Sequence, residues 1–186
     1  MAKHSLPTFL QMVQEPLEVE EDPPLRAFGD LFLDDDSLFT LELKAVFPPE
    51  VNGIYNVRDF YCQEKGCNCH RVTLVFFNEE EQEVYATISY GWKSMSFYHK
   101  WGLDRADAVH LTNGFLEPDE MQSEHAPFFL KTFLPYITSD PHMLAKIKER
   151  YALFTQTMAV DPSRLWRDHA EEMSENVVLF KKNARS

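Results

Sequence analysis

Glycine is scarce in this chain, with six residues in 186, and cysteine is scarcer still, with three. The shortage goes with the absence of several familiar sites. No G-x-x-x-x-G-K phosphate loop, dinucleotide G-x-G-x-x-G turn or G-x-S-x-G nucleophile elbow occurs, and the zinc-protease motif H-E-x-x-H is missing too. Long apolar runs are also lacking: the longest, such as Val72 to Phe77, are strand-sized and far short of a membrane-spanning helix. The opening Met1-Ala2-Lys3-His4-Ser5-Leu6-Pro7 has no unbroken apolar stretch of the kind a secretion signal requires. Positive charge is in deficit, 18 Lys and Arg against 30 Asp and Glu, for a formal net charge of -12. Such a chain repels phosphate backbones and anionic lipid, so neither nucleic acid nor membrane is expected as a partner. An odd number of cysteines in one short segment cannot form a distributed disulfide framework, and this predicts a reducing compartment, the cytoplasm. Internal repeats are absent, which excludes a solenoid.

What the chain does contain is apolar mass: 44% hydrophobic residues and 13% aromatics, including 15 Phe. That is enough to offset the entropy of folding, and the length suits one principal domain. Residues 1–27 read as an acidic, proline-bearing arm, because clustered carboxylates repel and Pro16, Pro23 and Pro24 remove backbone donors. Residues 28–176 are assigned to a single domain and 177–186 to a tail. From Ser37 the pattern alternates, with Phe39, Leu41, Leu43, Ala45 and Phe47 on one parity, which predicts a half-buried strand. Ile54 to Tyr61, Arg71 to Phe77 and Val84 to Tyr90 are three further strands, the last two joined by the polar hairpin 78–83.

The period then lengthens. A helix is predicted to begin near Pro127 and to stop before Pro135. After Ser139-Asp140-Pro141, a capping side chain followed by a proline suited to the first turn, Leu144, Ile147, Tyr151, Phe154 and Met158 recur at helical spacing. Lys146, Lys148 and Arg150 are expected on that helix's wet face. Asp161-Pro162 signals another helix carrying Leu165, Trp166, His169 and Met173. The expected fold is α+β, an antiparallel meander of about four strands followed by a mainly helical C-terminal half.

The feature with definite chemistry is the segment Tyr61-Cys62-Gln63-Glu64-Lys65-Gly66-Cys67-Asn68-Cys69-His70, a Cys-rich loop at 62–70 between the second and third of these strands. Thiolates gathered in such a loop suit zinc, which binds sulfur at about 2.3 Å in a tetrahedron and itself favours the ionised thiol. Cys62, Cys67, Cys69 and His70 are the expected ligands of one structural zinc ion. Consecutive side chains diverge, so Cys69 and His70 would need a sharp turn to share a metal. His99, His110, His125 or a water are the competitors for the fourth position. Asp59 to Val72 also resembles a pattern in small uncharacterised bacterial proteins, in which a Tyr-Cys knuckle with C-x4-C-x-C spacing leads into a strand. The resemblance spans under a tenth of the chain; it implies a bacterial cytoplasmic protein and transfers no catalytic residue.

Trp92, Phe97, Tyr98, His99 and Trp101 form an aromatic cluster that serves either the core or a planar ligand. The acidic groups at 34–36, 79–81 and 117–120 follow no calcium-binding pattern and read as solvated turns. The expected function is that of a noncatalytic, zinc-stabilised module whose acidic surface or amino-terminal arm engages a protein partner. Two alternatives stand beside it: a zinc-dependent hydrolase or deaminase with an open fourth position, and a thiol redox sensor.

Overall fold

The computed structural model describes residues 25–159 apart from Lys65. Its centre is the meander that the alternating pattern implies. Strands β2 (Phe39–Leu43), β3 (Gly53–Cys62), β4 (Arg71–Asn78) and β5 (Glu83–Gly91) pair antiparallel in sequence order. A short strand β1 (Leu25–Ala27) joins the same edge of β3 as β2, with Ala27 opposite Phe60, and β6 (Phe115–Leu116) pairs with β5 on the far side. The helices are α1 (Met95–Trp101), α2 (Arg105–Asn113), α3 (Ala126–Ser139) and α4 (Pro141–Ala159). The fold is α+β, with an antiparallel sheet followed by a helical C-terminal half.

Register explains which face is covered. Val57 lies opposite Phe76 and Phe76 opposite Ala86, while Asp59 lies opposite Leu74 and Leu74 opposite Ile88. These residues therefore share one face of the sheet. They bury there against Phe129, Leu134 and Ile137 of α3 and Ile147 and Phe154 of α4. A register shift between Phe76 and Phe77 keeps Tyr85 in this core, with its ring 5.2 Å from that of Tyr55 and 5.9 Å from that of Phe129. A smaller cluster of Tyr98, Ala108 and Leu111 gathers α1 and α2 beside β5. Their approach needs Gly91, since a Cβ there would lie 2.6 Å from Tyr98 Cζ and 2.8 Å from Leu111 Cγ.

Several expectations are corrected. Strand β2 ends at Leu43: Ala45 takes a positive φ of 55°, and Phe47 is 87% exposed rather than on the buried parity. Helix α3 continues through Pro135. The proline sits on the exposed side, so the carbonyl one turn back can turn to solvent, while Phe129, Leu134 and Ile137 anchor the helix on both sides of it. Arg150 is not on the wet face of α4 but 3% exposed, whereas Lys146 and Lys148 are exposed as expected. The stretch assigned to the arm contributes Leu25–Ala27 to the sheet. The rest of the arm, the helix expected after Asp161-Pro162 and the tail at 177–186 lie outside the described residues. Among the described residues no helix is long and apolar enough to cross a membrane.

Candidate metal centre

Strand pairing itself builds the loop. β3 and β4 are paired from Phe60 and Thr73 downward, so Cys62 leaves one strand where Arg71 enters the next. The chain between must reverse within eight residues, and it does so with two left-handed backbones, Gly66 at φ 76° and His70 at φ 46°. Glycine adopts that conformation readily; His70 must be held in it. Two tyrosines hold it. Tyr98 donates its hydroxyl to the His70 carbonyl at 2.7 Å, and the His70 amide donates to the Tyr151 hydroxyl at 3.3 Å. Tyr151 also donates to the Cys67 carbonyl at 3.4 Å. Burial pushes both phenols up to about 12, so they remain neutral donors across the physiological range.

All three cysteines are free; Cys62 and Cys67 are partly buried and Cys69 is buried. Ligand atoms of Cys62, Glu64 and Cys67 all lie within 4.8 Å of one another, a group that could hold a metal ion. Cys69 stands outside this mutual group, but its thiol hydrogen-bonds with that of Cys67, which also meets the thiol of Cys62. Backbone hydrogen bonding from two residues on acts to lower both pKa values, from Glu64 on Cys62 and from Cys69 on Cys67. These bonds favour thiolate and oppose burial, which is the larger effect and pushes both thiols up when no cation is near. A bound cation would reverse that balance.

The expected histidine does not join. The His70 ring lies among Trp92, Phe97 and Tyr151, with centroids 6.0, 5.3 and 5.3 Å away, outside the Cys62, Glu64 and Cys67 group. Burial and the nearby Lys93 push its pKa down, favouring neutral imidazole. Nor does any of the remote histidines belong to this group. His99 Nδ1 lies 3.2 Å from the Leu103 carbonyl of its own helix end, His110 is exposed on α2, and His125 stacks on Tyr85 at 6.2 Å. Cysteine and histidine spacing does not point to Glu64, an exposed carboxylate two residues from Cys62.

A second polar constellation backs the centre from below. Arg150 Nε and Nη2 donate to Asp59 Oδ2 and Oδ1 at 2.8 and 2.9 Å, and Nη2 also reaches the Asp35 carbonyl at 3.0 Å. Its guanidinium lies 3.8 Å from the Phe28 ring centroid. Tyr61 donates to Asp59 Oδ2 at 2.7 Å and sits one residue before Cys62. Burial drives the Tyr61 phenol far above its ordinary range. The carboxylate, guanidinium and phenol thus satisfy one another at the end of β3 that carries the first cysteine.

No protein-family model, curated protein or solved structure matches the chain.

Proposed function

We propose that this is a noncatalytic protein in which one zinc ion, held by thiolates of the 62–70 loop, clamps the adjoining ends of β3 and β4, and that its acidic exterior or amino-terminal arm engages a protein partner. The observation that carries this reading is the pairing of Cys62 and Cys67 with Glu64 inside 4.8 Å. Backbone groups that act to lower the pKa of both thiols support it, since outer hydrogen bonds help thiolate ligands keep their charge. Cys62 and Cys67 supply two positions, Cys69 a third once its sulfur turns toward them, and Glu64 the fourth. A centre of three thiolates and a carboxylate is closed and rich in negative charge, which suits a structural ion better than one activating water. The net charge of -12 points the rest of the surface toward a basic protein partner.

Purified full-length protein, kept reduced and free of chelator, is expected to carry one zinc per chain by elemental analysis. Its absorption edge should fit mainly sulfur neighbours at about 2.3 Å. Cys62→Ser and Cys67→Ser should each abolish retention, and Glu64→Gln should weaken it. Less than a tenth of an equivalent in the fully reduced native chain would sink the metal reading; a shell dominated by imidazole would sink this ligand set.

The contact of Cys67 with two other thiols favours a second reading, a redox sensor. Peroxide would accept two electrons and two protons from Cys67 and a neighbouring thiol, leaving a disulfide and water. That reading requires a reversible loss of two titratable thiols per chain, accompanied by release of the metal.

A further inference from the structure

Beside the cysteine loop lies a groove of about 510 Å³. Three segments meet there: the end of the loop at His70, the turn after β5 with Trp92 and Lys93, and one face of α4 carrying Lys148, Tyr151 and Thr155. The α4 residues fall at intervals of three and four, so they form a single stripe along the helix. Trp92 and Tyr151 meet edge to face, with centroids 5.1 Å apart at 79°. One feature separates this stripe from an ordinary wet helix face. No Asp or Glu lines the groove in a chain with a net charge of -12, while two ammonium groups do, that of Lys93 lying 5.8 Å from the Phe97 ring centroid.

Two cations beside an aromatic wall, in a groove lined by no carboxylate, are complementary to a ligand that is flat at one end and negative at the other. The rings offer stacking surface and the ammonium groups offer charge-assisted hydrogen bonds. The volume falls within the range of about 300 to 1,000 Å³ usual for small-molecule sites. We propose that this groove binds a small anion carrying a planar aromatic ring, with the ring against Trp92 and Tyr151 and the anionic group between Lys93 and Lys148. Nucleoside phosphates and aromatic carboxylates share that chemistry. Cys67 also lines the groove, but the four residues assigned to the ligand are not members of the thiolate centre, so the binding test does not require zinc.

The test is calorimetric titration of the full chain with AMP and with indole-3-acetate, using adenosine and inorganic phosphate as half-ligands. Saturable binding of AMP or indole-3-acetate is expected, and whichever binds more tightly identifies the source. Adenosine and phosphate should each bind roughly tenfold or more weakly than AMP if the nucleotide is the ligand. Two exposed lysines can be replaced without disturbing the core, so the Lys93→Ala/Lys148→Ala chain should unfold at the parental temperature while its affinity falls roughly tenfold or more. Ala152, which also lines the groove, offers a steric variant: Ala152→Phe should block binding without touching either charge. The proposal is overturned if neither anion gives saturable heat up to roughly 5 mM, the weak end of ligand recognition. It is equally overturned if adenosine or phosphate alone binds as tightly as AMP with indole-3-acetate silent, or if the double lysine variant binds like the parent.

Discussion

Asp59 occupies a position on β3 where the alternation of Tyr55, Val57 and Tyr61 would otherwise place an apolar side chain, and it is 1% exposed. A carboxylate there is tolerable only because α4 delivers Arg150 to it in a two-pronged contact, 91 residues away in sequence. Removing one member leaves the other charge buried. Asp59→Ala is therefore expected to cost about 3–5 kcal/mol in urea unfolding, and a paired replacement by Leu and Met to cost less than the single change. A loss below about 1 kcal/mol for Asp59→Ala would mean that Asp35 and the nearby carbonyls suffice to hold the guanidinium. The same residue-scale logic separates the cysteines from His70. Loop spacing could nominate all four as ligands, but His70 takes a left-handed backbone that no spacing rule displays, and its ring lies among Trp92, Phe97 and Tyr151.

At the scale of elements, α1 and α2 are short, and in the sequence Trp92 to Trp101 read only as an aromatic cluster. Their limits were nonetheless encoded. The Ser94 side chain accepts from the Phe97 amide at 3.2 Å, Asp104 accepts from the Asp107 amide at 2.9 Å, and Gly102 closes α1 in the left-handed region at φ 115°. Weak amphipathic patterning over 7 and 9 residues hides such helices from a periodicity argument. Their role is to bring Tyr98 under the loop, and Gly91 provides the room. Gly91→Ala is expected to destabilise the fold by about 1–3 kcal/mol through overpacking. Because it displaces the hydroxyl that holds the His70 carbonyl, it should also raise hydrogen exchange at His70 and Trp92 more than at β3. Unchanged exchange at those amides would show that Tyr151 alone restrains the loop.

The whole molecule couples the loop to global stability, since β3 and β4 are the central strands of the sheet. If zinc binds only the folded chain, free metal at about 100 times its dissociation constant adds about 2.7 kcal/mol, and a chelator should lower the melting temperature by roughly 5–11 °C. An unchanged melting temperature after complete removal of the metal would rule out the clamp. The metal-free chain should carry a pH signature of its own. Folding raises the pKa of Cys62 and Cys67 by burial, so it favours the neutral thiols. That contribution is complete below the unfolded thiol value of about 8.5 and is lost as pH rises through the higher folded values. Metal-free protein should therefore lose stability between about pH 8.5 and pH 10, below the range in which the buried tyrosines add a loss of their own, and the Cys62→Ala/Cys67→Ala chain should lose less there.

Much of the architecture was legible because it rests on local regularities. Alternation marked β2, aromatic and β-branched runs bounded by turn residues marked β3 to β5, the capping pair Asp140 and Pro141 started α4 where the His142 amide donates to Asp140 Oδ1 at 2.8 Å, and the order of strands before helices set the class. The cysteine loop and its place between β3 and β4 were legible for the same reason. What the sequence by itself could not determine is every matter of direction across distance: that Arg150 turns inward to Asp59, that α3 tolerates Pro135 on its exposed side, that Tyr98 and Tyr151 pin His70, and that Glu64 rather than His70 faces Cys62 and Cys67. Those outcomes depend on which groups packing brings together. A helix stripe or a loop spacing fixes neighbours along the chain, whereas partners from elsewhere are chosen only when the sheet and helices close.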